Sequence, residues 1–210
     1  LKELLKIIKL KNFVNILKNK DLKTIFSITF PEFKNLDRIN KLSLLSKSDL
    51  LNLKTNIILA ILLIDETKNH EYFCHKYKTS NQIKDDLDSL SKNLERYRSD
   101  KNFFKKNLKK NIYFLGKKKT QDLAFFVFLE NKKWNYKDLQ DLKTNIEKIS
   151  IPKFPYDGKY LMKKGILEGK KIGFALKELE QRWIKSNYQL SNKDVLNVID
   201  KTKRLNILDI

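Results

Sequence analysis

The chain has 210 residues, 41% of them hydrophobic and 33% charged, and this balance excludes an intrinsically disordered protein. Five glycines and three prolines are too few for a loop-rich fold, so the composition favours long helices with short connections. The 45 basic and 25 acidic residues give a formal net charge of +20. Such an excess attracts polyanions, above all the phosphates of nucleic acid. Because 40 of the basic residues are lysine, a coding bias towards Lys, Asn and Ile is the alternative explanation.

Cysteine usage and hydropathy indicate the compartment. Cys74 is the only cysteine, so an intrachain disulfide is excluded and a reducing compartment is favoured. The longest apolar run, 57–64, is far shorter than the ~20 residues that a membrane-spanning helix needs. We therefore expect a cytoplasmic protein without a membrane segment. Helical periodicity is already present at Leu1, and we expect the chain to be a piece of a longer protein.

Apolar residues recur at spacings of three and four from the first residue onward, which predicts helices. A first helix covers about 1–8, and a second apolar run, 13–26, leads to a break at Pro31. Ser48 is predicted to be the N-cap of a helix that reaches Ile64. That helix is apolar nearly all round, so we expect it at the centre of the core.

The middle of the chain is helical by the same criterion. Thr79 and Gln82 have the spacing of a capping box, which predicts the start of a helix there. Two further helices, at about 101–115 and 119–130, are separated by a glycine that ends the first of them. The segment 135–149 is predicted to form the next helix.

The last part of the chain is punctuated by proline and glycine. Pro152 and Pro155 mark an extended segment, which is the best candidate for a domain boundary. A glycine-rich turn, a long amphipathic helix to about residue 187 and a short helix capped by Ser191 and Asp194 follow. Taken together, these elements predict an all-α fold of roughly nine to eleven helices without a substantial sheet.

The residue types that could bind metal or perform chemistry are few. Asp86 and Asp88 form a D-x-D pair, but residues two apart on a helix point to different faces, so a solvated helix face is predicted instead of a Mg²⁺ site. His70, Cys74 and His75 lack the fourth ligand of a structural zinc site, and a buried thiol with surface imidazoles is predicted. Phosphate-binding loops and nucleophile elbows are absent from the sequence. The residues predict neither a catalytic site nor a metal site.

The segment 150–188 carries the most information. Gly158 follows the prolines, Gly165 and Gly169 bracket a tight turn, and Gly173 lies one turn into the next helix. Glycine costs about 1 kcal/mol relative to alanine inside a helix, so Gly173 requires a reason. Close helix packing is the favoured reason. The alternative is a turn whose backbone N–H groups and helix N-terminus meet a phosphate.

This segment resembles the C-terminal signature of bacterial class II tRNA nucleotidyltransferases (CCA-adding enzymes) and related poly(A) polymerases. The signature reads P-x-F-P-(apolar)-x-G-x-D-L, then G-(apolar)-x-x-G-P-x-(I/V)-G, then L-x-x-(L/V)-E-x-x-W-(I/V) and an aromatic residue. Its positions are occupied here by Pro152, Phe154, Pro155, Gly158, Leu161, Gly165, Gly169, Ile172, Gly173, Leu176, Leu179, Glu180, Trp183, Ile184 and Tyr188. Tyr160 and Lys170 depart from it, where the family has Asp and Pro.

Weaker likenesses to the same family extend towards the amino terminus. Tyr113, Leu115 and Gly116 match its Y-x-L-G motif, and Asp122 follows on the next helix. The segment 77–81 is similar to its L-x-L-S-N motif, and residues 3–5 resemble the end of its neck motif R-I-x-x-E-L.

The resemblance implies an enzyme that adds CCA to tRNA 3′ ends in a head domain N-terminal to this chain, with Mg²⁺, CTP and ATP. It assigns 1–30 to the end of a helical neck, 31–150 to a helical body and 151–210 to a helical tail. Body and tail would hold the acceptor and T-arm half of tRNA, while this chain carries no catalytic residue and no cofactor. The same region of a poly(A) polymerase and a non-enzymatic basic helical interaction module are the alternatives.

Within this interpretation, exposed lysines beside glycine turns are the predicted phosphate contacts. They are Lys117, Lys118, Lys119, Lys163, Lys164, Lys170 and Lys171. The predicted structural turn consists of Gly158, Gly165, Gly169 and Gly173. Tyr156 and Tyr160 are candidates for stacking on bases, whereas Trp183 continues an apolar helix face and is predicted to lie in the core.

Overall fold

The structure, a computed structural model, describes residues 1–10, 12–167 and 169–205, without the side chains of residues 47 and 51. Within these residues it is 70% helical and has no strand, which confirms the all-α class. Thirteen helical elements are described, more than the nine to eleven predicted, because several apolar runs divide into short helices. They are α1 (Lys2–Ile8), α2 (Phe13–Ile16), α3 (Lys20–Thr29), a 3-10 helix (Leu36–Leu44), α4 (Lys47–Leu51), α5 (Thr55–Leu63), α6 (Asn69–Lys76), α7 (Asn81–Ser99), α8 (Leu108–Glu130), α9 (Tyr136–Lys148), α10 (Gly158–Lys163), α11 (Lys170–Lys185) and α12 (Asn192–Arg204).

The chain divides into two compact units, Leu1–Ile149 (unit 1) and Ser150–Ile210 (unit 2). The division of unit 1 into a neck at 1–30 and a body at 31–150 stays a prediction. No helix in the described part of the chain has both the length and the apolar character that crossing a membrane requires.

Helix α5 lies at the centre of unit 1, as its sequence predicts. Every residue of Ile58–Ile64 is at most 7% exposed. The prediction that this helix begins at Ser48 is wrong, because the chain leaves helical geometry after α4. Ser46 caps α4 by accepting a hydrogen bond from the backbone N–H of Asp49 (3.1 Å), and α5 begins separately at Thr55.

Local hydrogen bonds also correct the predicted start of α7. Thr79 donates its backbone N–H to the carbonyl of Cys74 (3.1 Å), so Thr79 belongs to the turn that closes α6. Ser80 is the N-cap, because its hydroxyl accepts from the N–H of Ile83 (3.4 Å). Ser191 caps α12 as predicted, by accepting from the N–H of Asp194 (3.1 Å).

Gly116 divides α8 into two helical segments, 108–115 and 117–130. Its φ of +79° is left-handed, a region that favours glycine, and its ψ of +158° ends the helical path of the first segment. The first segment begins at Leu108 and not near residue 101, because 101–107 form turns.

The 3-10 helix packs against α5 and α8 and carries a cation that satisfies the end of α5. One guanidinium nitrogen of Arg38 donates to the carbonyl of Ile64 (2.6 Å), and another pairs with the Glu130 carboxylate (2.9 Å). The last carbonyls of a helix have no partner within it, so a donor at this point stabilises the helix end.

Lys41 likewise satisfies backbone carbonyl groups at the end of α8. Its ammonium donates to the carbonyls of Phe128 (2.8 Å), Asn131 (2.6 Å) and Trp134 (3.1 Å), which closes the helix and the turn that follows it. Burial lowers the pKa of Lys41. Arg38 and Lys41 therefore contribute to the net charge but serve the fold.

Unit 2 consists of α10, α11 and α12 around one apolar core. Its fully buried members are Leu161, Ile166, Ala175, Leu179, Val195, Val198 and Ile199. Trp183 is 3% exposed, and its ring meets those of Phe154 (5.3 Å between centroids) and Tyr188 (4.9 Å) edge to face. The predicted core position of Trp183 is thus what the structure shows.

Candidate nucleic-acid interface

The densest positive charge of unit 1 lies in residues 101–119, which we call the lysine-rich segment. It contains eight lysines and no acidic residue, since the nearest carboxylates along the chain are Asp100 and Asp122. The lysines are Lys101, Lys105, Lys106, Lys109, Lys110, Lys117, Lys118 and Lys119. Six of them are exposed, whereas Lys109 and Lys117 are partly buried. This charge therefore faces solvent and can meet a polyanion.

Buried apolar residues hold the lysine-rich segment on the surface. Phe103 is 3% exposed and anchors the turn that leads into α8. Leu108 and Ile112, one helical turn apart, are 8% and 3% exposed and turn the same face inward. Lys110 lies between them in sequence, so the helical period directs it to the opposite, outer face.

The three consecutive lysines after Gly116 differ from one another in the structure. Lys117 hydrogen-bonds the backbone carbonyl of Glu147 on α9, so it stabilises the contact between α8 and α9. Lys118 pairs with Asp122 one turn along (2.7 Å), in an exposed ion pair of small energy. Lys119 is exposed and forms no hydrogen bond or ion pair with any residue that the structure describes. Of the three, Lys119 is the most available to a phosphate.

A groove of about 180 Å³ lies beside these lysines, between α5, α7 and α8. Lys54, Lys118 and Lys119 line it together with two carboxylates, Asp86 and Asp122. Those carboxylates oppose the approach of a phosphate. The open face of the lysine-rich segment is therefore a better surface for a polyanion than this groove.

In unit 2, two of the four predicted turn glycines have a conformation that favours glycine. Gly165 has φ +84°, and Gly169, with φ +101°, is the N-cap of α11. Gly158 is closely packed, since a Cβ there would lie 3.5 Å from Ile172 Cγ2. Gly173 lies on an exposed helix face, and a Cβ there would meet no described atom within 4 Å. Close packing is therefore the wrong explanation for Gly173.

The four predicted lysines of unit 2 lie at the two ends of this turn. Lys163 ends α10, Lys164 follows it, and Lys170 begins α11; all three are exposed. Lys171 is partly buried and donates to the carbonyl of Lys203 at the end of α12 (3.3 Å), so one of the four is engaged with the fold.

Lys203 is a basic residue that sequence reasoning missed. Its Cε and Nζ lie 3.4 Å from the position that a Cβ on Gly165 would take. The end of α12 thus adds positive charge to the glycine turn, together with exposed Lys201 and Arg204. In the sequence, this charge is visible as the basic last turn of helix α12. Because α12 packs against α11, these basic residues lie beside the glycine turn.

The aromatic residues of unit 2 are less available for stacking than predicted. Tyr156 and Tyr160 are partly buried, pack against the core and lie 5.1 Å apart between ring centroids. The ammonium of Lys164 lies 5.9 Å from the Tyr160 ring. In unit 1, by contrast, Phe114 of the lysine-rich segment is 54% exposed, and sequence reasoning did not single it out.

The imidazoles of α6 also differ from expectation. His75 is exposed as predicted, but His70 is 2% exposed, so the prediction of two surface imidazoles is wrong for His70. Its Nε2 lies 3.4 Å from Asp88 Oδ1. Burial lowers the pKa of His70, and the neighbouring carboxylates, Asp88 first, oppose that shift.

Side chains that could bind a metal ion come together around His70 of α6. His70, Glu71 and Asp88 each offer a ligand atom within 4.8 Å of the others, while Cys74 is not part of the group. Glu71 is exposed and lies 3.7 Å from the Lys68 ammonium, which competes with a cation for it. Asp86, the other half of the D-x-D pair, points elsewhere and accepts from the Asn56 amide (2.6 Å).

Comparison with known proteins identifies three similar sequences, each named CCA tRNA nucleotidyltransferase 1, mitochondrial. The human protein is 41% identical over 61 residues, which are 29% of this chain and 14% of the relative. The Danio rerio protein is 37% identical and the Mus musculus protein 36% identical over 67 residues, 32% of this chain and 16% and 15% of those relatives. The matched stretch thus spans about one seventh of their length. No protein-family model and no solved structure matches the chain.

Proposed function

We propose that this chain is the RNA-binding, C-terminal part of a tRNA nucleotidyltransferase that adds CCA to tRNA 3′ ends. The observation that carries the proposal is the 36–41% identity to three CCA tRNA nucleotidyltransferases over about a third of the chain. The exposed lysines of the lysine-rich segment and of the glycine turn support it, because they supply the charge that an RNA backbone requires.

The described residues suit a role in holding RNA. The partner in this proposal is the acceptor and T-arm half of tRNA, a folded duplex that proteins recognise through its shape and its phosphates. Lysines on rigid helices can contact phosphates without reading bases, which suits an enzyme whose substrates share a shape and differ in sequence.

Catalysis belongs to a head domain N-terminal to these residues in this proposal. That domain would bind Mg²⁺, CTP and ATP and transfer the nucleotides. The cluster of His70, Glu71 and Asp88 combines an imidazole with two carboxylates and is a poor match to the oxygen ligands that Mg²⁺ prefers. We therefore assign no step of the transfer to residues of this chain. A cytoplasmic location is part of the proposal, although the relatives are named as mitochondrial.

The poly(A) polymerase alternative gains no support from the relatives, all three of which are named as CCA-adding. The interaction-module alternative makes a different prediction about RNA. A module whose charge reflects coding bias would bind tRNA no better than a lysine-rich protein of equal charge.

Filter binding of tRNA to the 210-residue chain across a salt series tests the proposal. We expect the logarithm of the association constant to fall linearly with the logarithm of the salt concentration. The triple variant K105Q/K106Q/K110Q should bind about tenfold more weakly, and its salt slope should be shallower by about 2 to 3. The variant K163Q/K164Q/K170Q tests the glycine turn of unit 2 in the same way.

The matched control is K2Q/K9Q/K18Q, which removes the same charge from exposed lysines of the first two helices and their connections. Equal loss of affinity in this control and in both test variants would show that only net charge matters. That result, or wild-type binding no tighter than that of the lysine-rich reference protein, would contradict the proposed function.

A further inference from the structure

Phe114 is an exposed aromatic ring in the middle of the lysine-rich segment. It is 54% exposed, although Leu108 and Ile112 of the same helical segment are buried. It follows Ile112 by two residues, so the helical period places it on the far side of the helix from that buried residue. An aromatic residue in this position contributes little to the core.

The surroundings of the ring are cationic. Lys110 precedes Phe114 by four residues and therefore shares its helix face. No carboxylate occurs in the sequence between Asp100 and Asp122. Lys117, three residues after Phe114, is held at α9 by the Glu147 carbonyl and lies 4.0 Å from the Glu147 carboxylate, so Lys110 supplies the exposed charge. The ring of Tyr113 meets that of Phe114 edge to face, at 5.2 Å between centroids and 77° between planes. This contact supports the Phe114 ring, while more than half of the residue stays exposed.

The geometry points to Phe114 as a stacking platform for an unpaired base of RNA, with exposed Lys110 at the adjoining phosphate. An aromatic face with lysines beside it is the combination by which proteins hold single-stranded nucleic acid, because every base offers a π-face and every nucleotide a phosphate. Duplex RNA cannot use the ring in this way, since its bases are already stacked on one another.

This inference rests on the proposed function but goes beyond it. Phosphate contacts by lysine would hold a tRNA duplex, whereas Phe114 assigns to the same surface a place for unpaired nucleotides. An acidic protein partner is the competing occupant, and it would use the ring as an apolar contact. The two occupants differ in whether an aliphatic side chain can replace the ring.

Binding of a short unstructured oligocytidylate and of a blunt RNA duplex of equal length tests the inference. We expect F114A to lose between about 5-fold and about 160-fold in affinity for the single strand, the range for removal of one stacked base. F114L should be equally weak, and F114W should restore the affinity. Duplex affinity should change less than about twofold in all three variants, because their lysines are unchanged.

The matched control is Y72A, since Tyr72 on α6 is 59% exposed but the lysine beside its ring, Lys76, is paired with Glu32 (2.6 Å). It should leave single-strand affinity unchanged. Thermal melting should show F114A folded like the wild type, because the ring is not part of the core.

Unchanged single-strand binding in F114A, full binding by F114L, or equal losses for single strand and duplex would each overturn the stacking site. These results are distinguishable from failure of the proposed function. If the proposed function failed, the wild-type chain would bind tRNA no more tightly than the lysine-rich reference protein, whatever stands at residue 114.

Discussion

Basic side chains have different roles in the 3-10 helix, Leu36–Leu44, and in the lysine-rich segment, 101–119. In the 3-10 helix, Arg38 and Lys41 turn inward and donate to the carbonyl ends of α5 and α8. In the lysine-rich segment, six of eight lysines face solvent, and Lys110 lies opposite the buried face of its helix. Both regions add to the net charge of +20, but only the second can offer that charge to a partner.

Net charge is therefore a poor measure of a binding surface. A cation that satisfies helix carbonyls is desolvated and held in place, so its removal costs stability. A cation that faces solvent costs little to remove, and its contribution appears only when a polyanion arrives. Pairs of identical residues in the two kinds of environment therefore test the comparison directly.

The largest effect is expected for lysine. K41M should lower the free energy of unfolding by about 2–4 kcal/mol, because three carbonyls at the end of α8 lose a charged donor. K106M, at an exposed lysine of the lysine-rich segment, should change it by less than about 0.5 kcal/mol. Urea denaturation of the two variants gives both values. Equal stability of K41M and K106M would break the distinction between inward and outward cations.

Glycine provides the second pair. G169A should destabilise unit 2 by about 1–3 kcal/mol, since φ +101° and ψ −145° lie in a region that other residues avoid. G173A should stabilise it by about 0.5–1 kcal/mol, because the residue is helical and a Cβ there meets no described atom. Thermal unfolding measures the opposite signs. A loss of stability in G173A would restore the packing explanation.

Histidine provides the third and smallest effect. Burial holds the pKa of His70 below its ordinary value of 6.5, so the unfolded chain binds this proton more readily than the folded chain does. Stability should therefore fall as the pH falls through about 6.5, by at most about 1.4 kcal/mol per pH unit for one proton. Carboxylates whose pKa is lowered by the fold, such as Glu32, add their own losses only at lower pH.

Urea midpoints at about pH 7.5 and pH 5.5 measure this dependence. H70N should flatten the dependence, even if its stability is lower at both pH values. H75N, at the exposed imidazole of the same helix, should leave it as in the wild type. A dependence that persists in H70N would assign the proton to another group.

Much of the fold was predictable because helices follow from local patterns. The apolar run that becomes α5, the break at Gly116 and the cap at Ser191 can each be read from neighbouring residues. The wrong predictions concern which of several nearby residues caps a helix. Ser46 and Ser80 cap their helices in place of Ser48 and Thr79, since several Ser and Thr residues stand close together and only the backbone path selects one.

The candidate interface was less predictable, for a reason of a different kind. The lysine-rich segment is visible in the sequence, but which of its lysines are free depends on contacts with distant residues. Lys117 is engaged by Glu147, thirty positions away, and Lys171 by the carbonyl of Lys203. The sequence does not distinguish Phe114 from a buried apolar helix residue, because its exposure depends on the tertiary structure.

Local patterns in the sequence were enough to predict a helical, strongly basic chain, and about a third of it is similar to CCA tRNA nucleotidyltransferases. Periodicity, charge and motif spacing are properties of residues close together in the chain. Only the tertiary structure shows which cations satisfy the carbonyl ends of helices and which face solvent. It also shows that His70 is buried and that a Cβ at Gly173 would meet no described atom within 4 Å. Those outcomes depend on residues far apart in the chain meeting in space, and no local pattern encodes such a meeting.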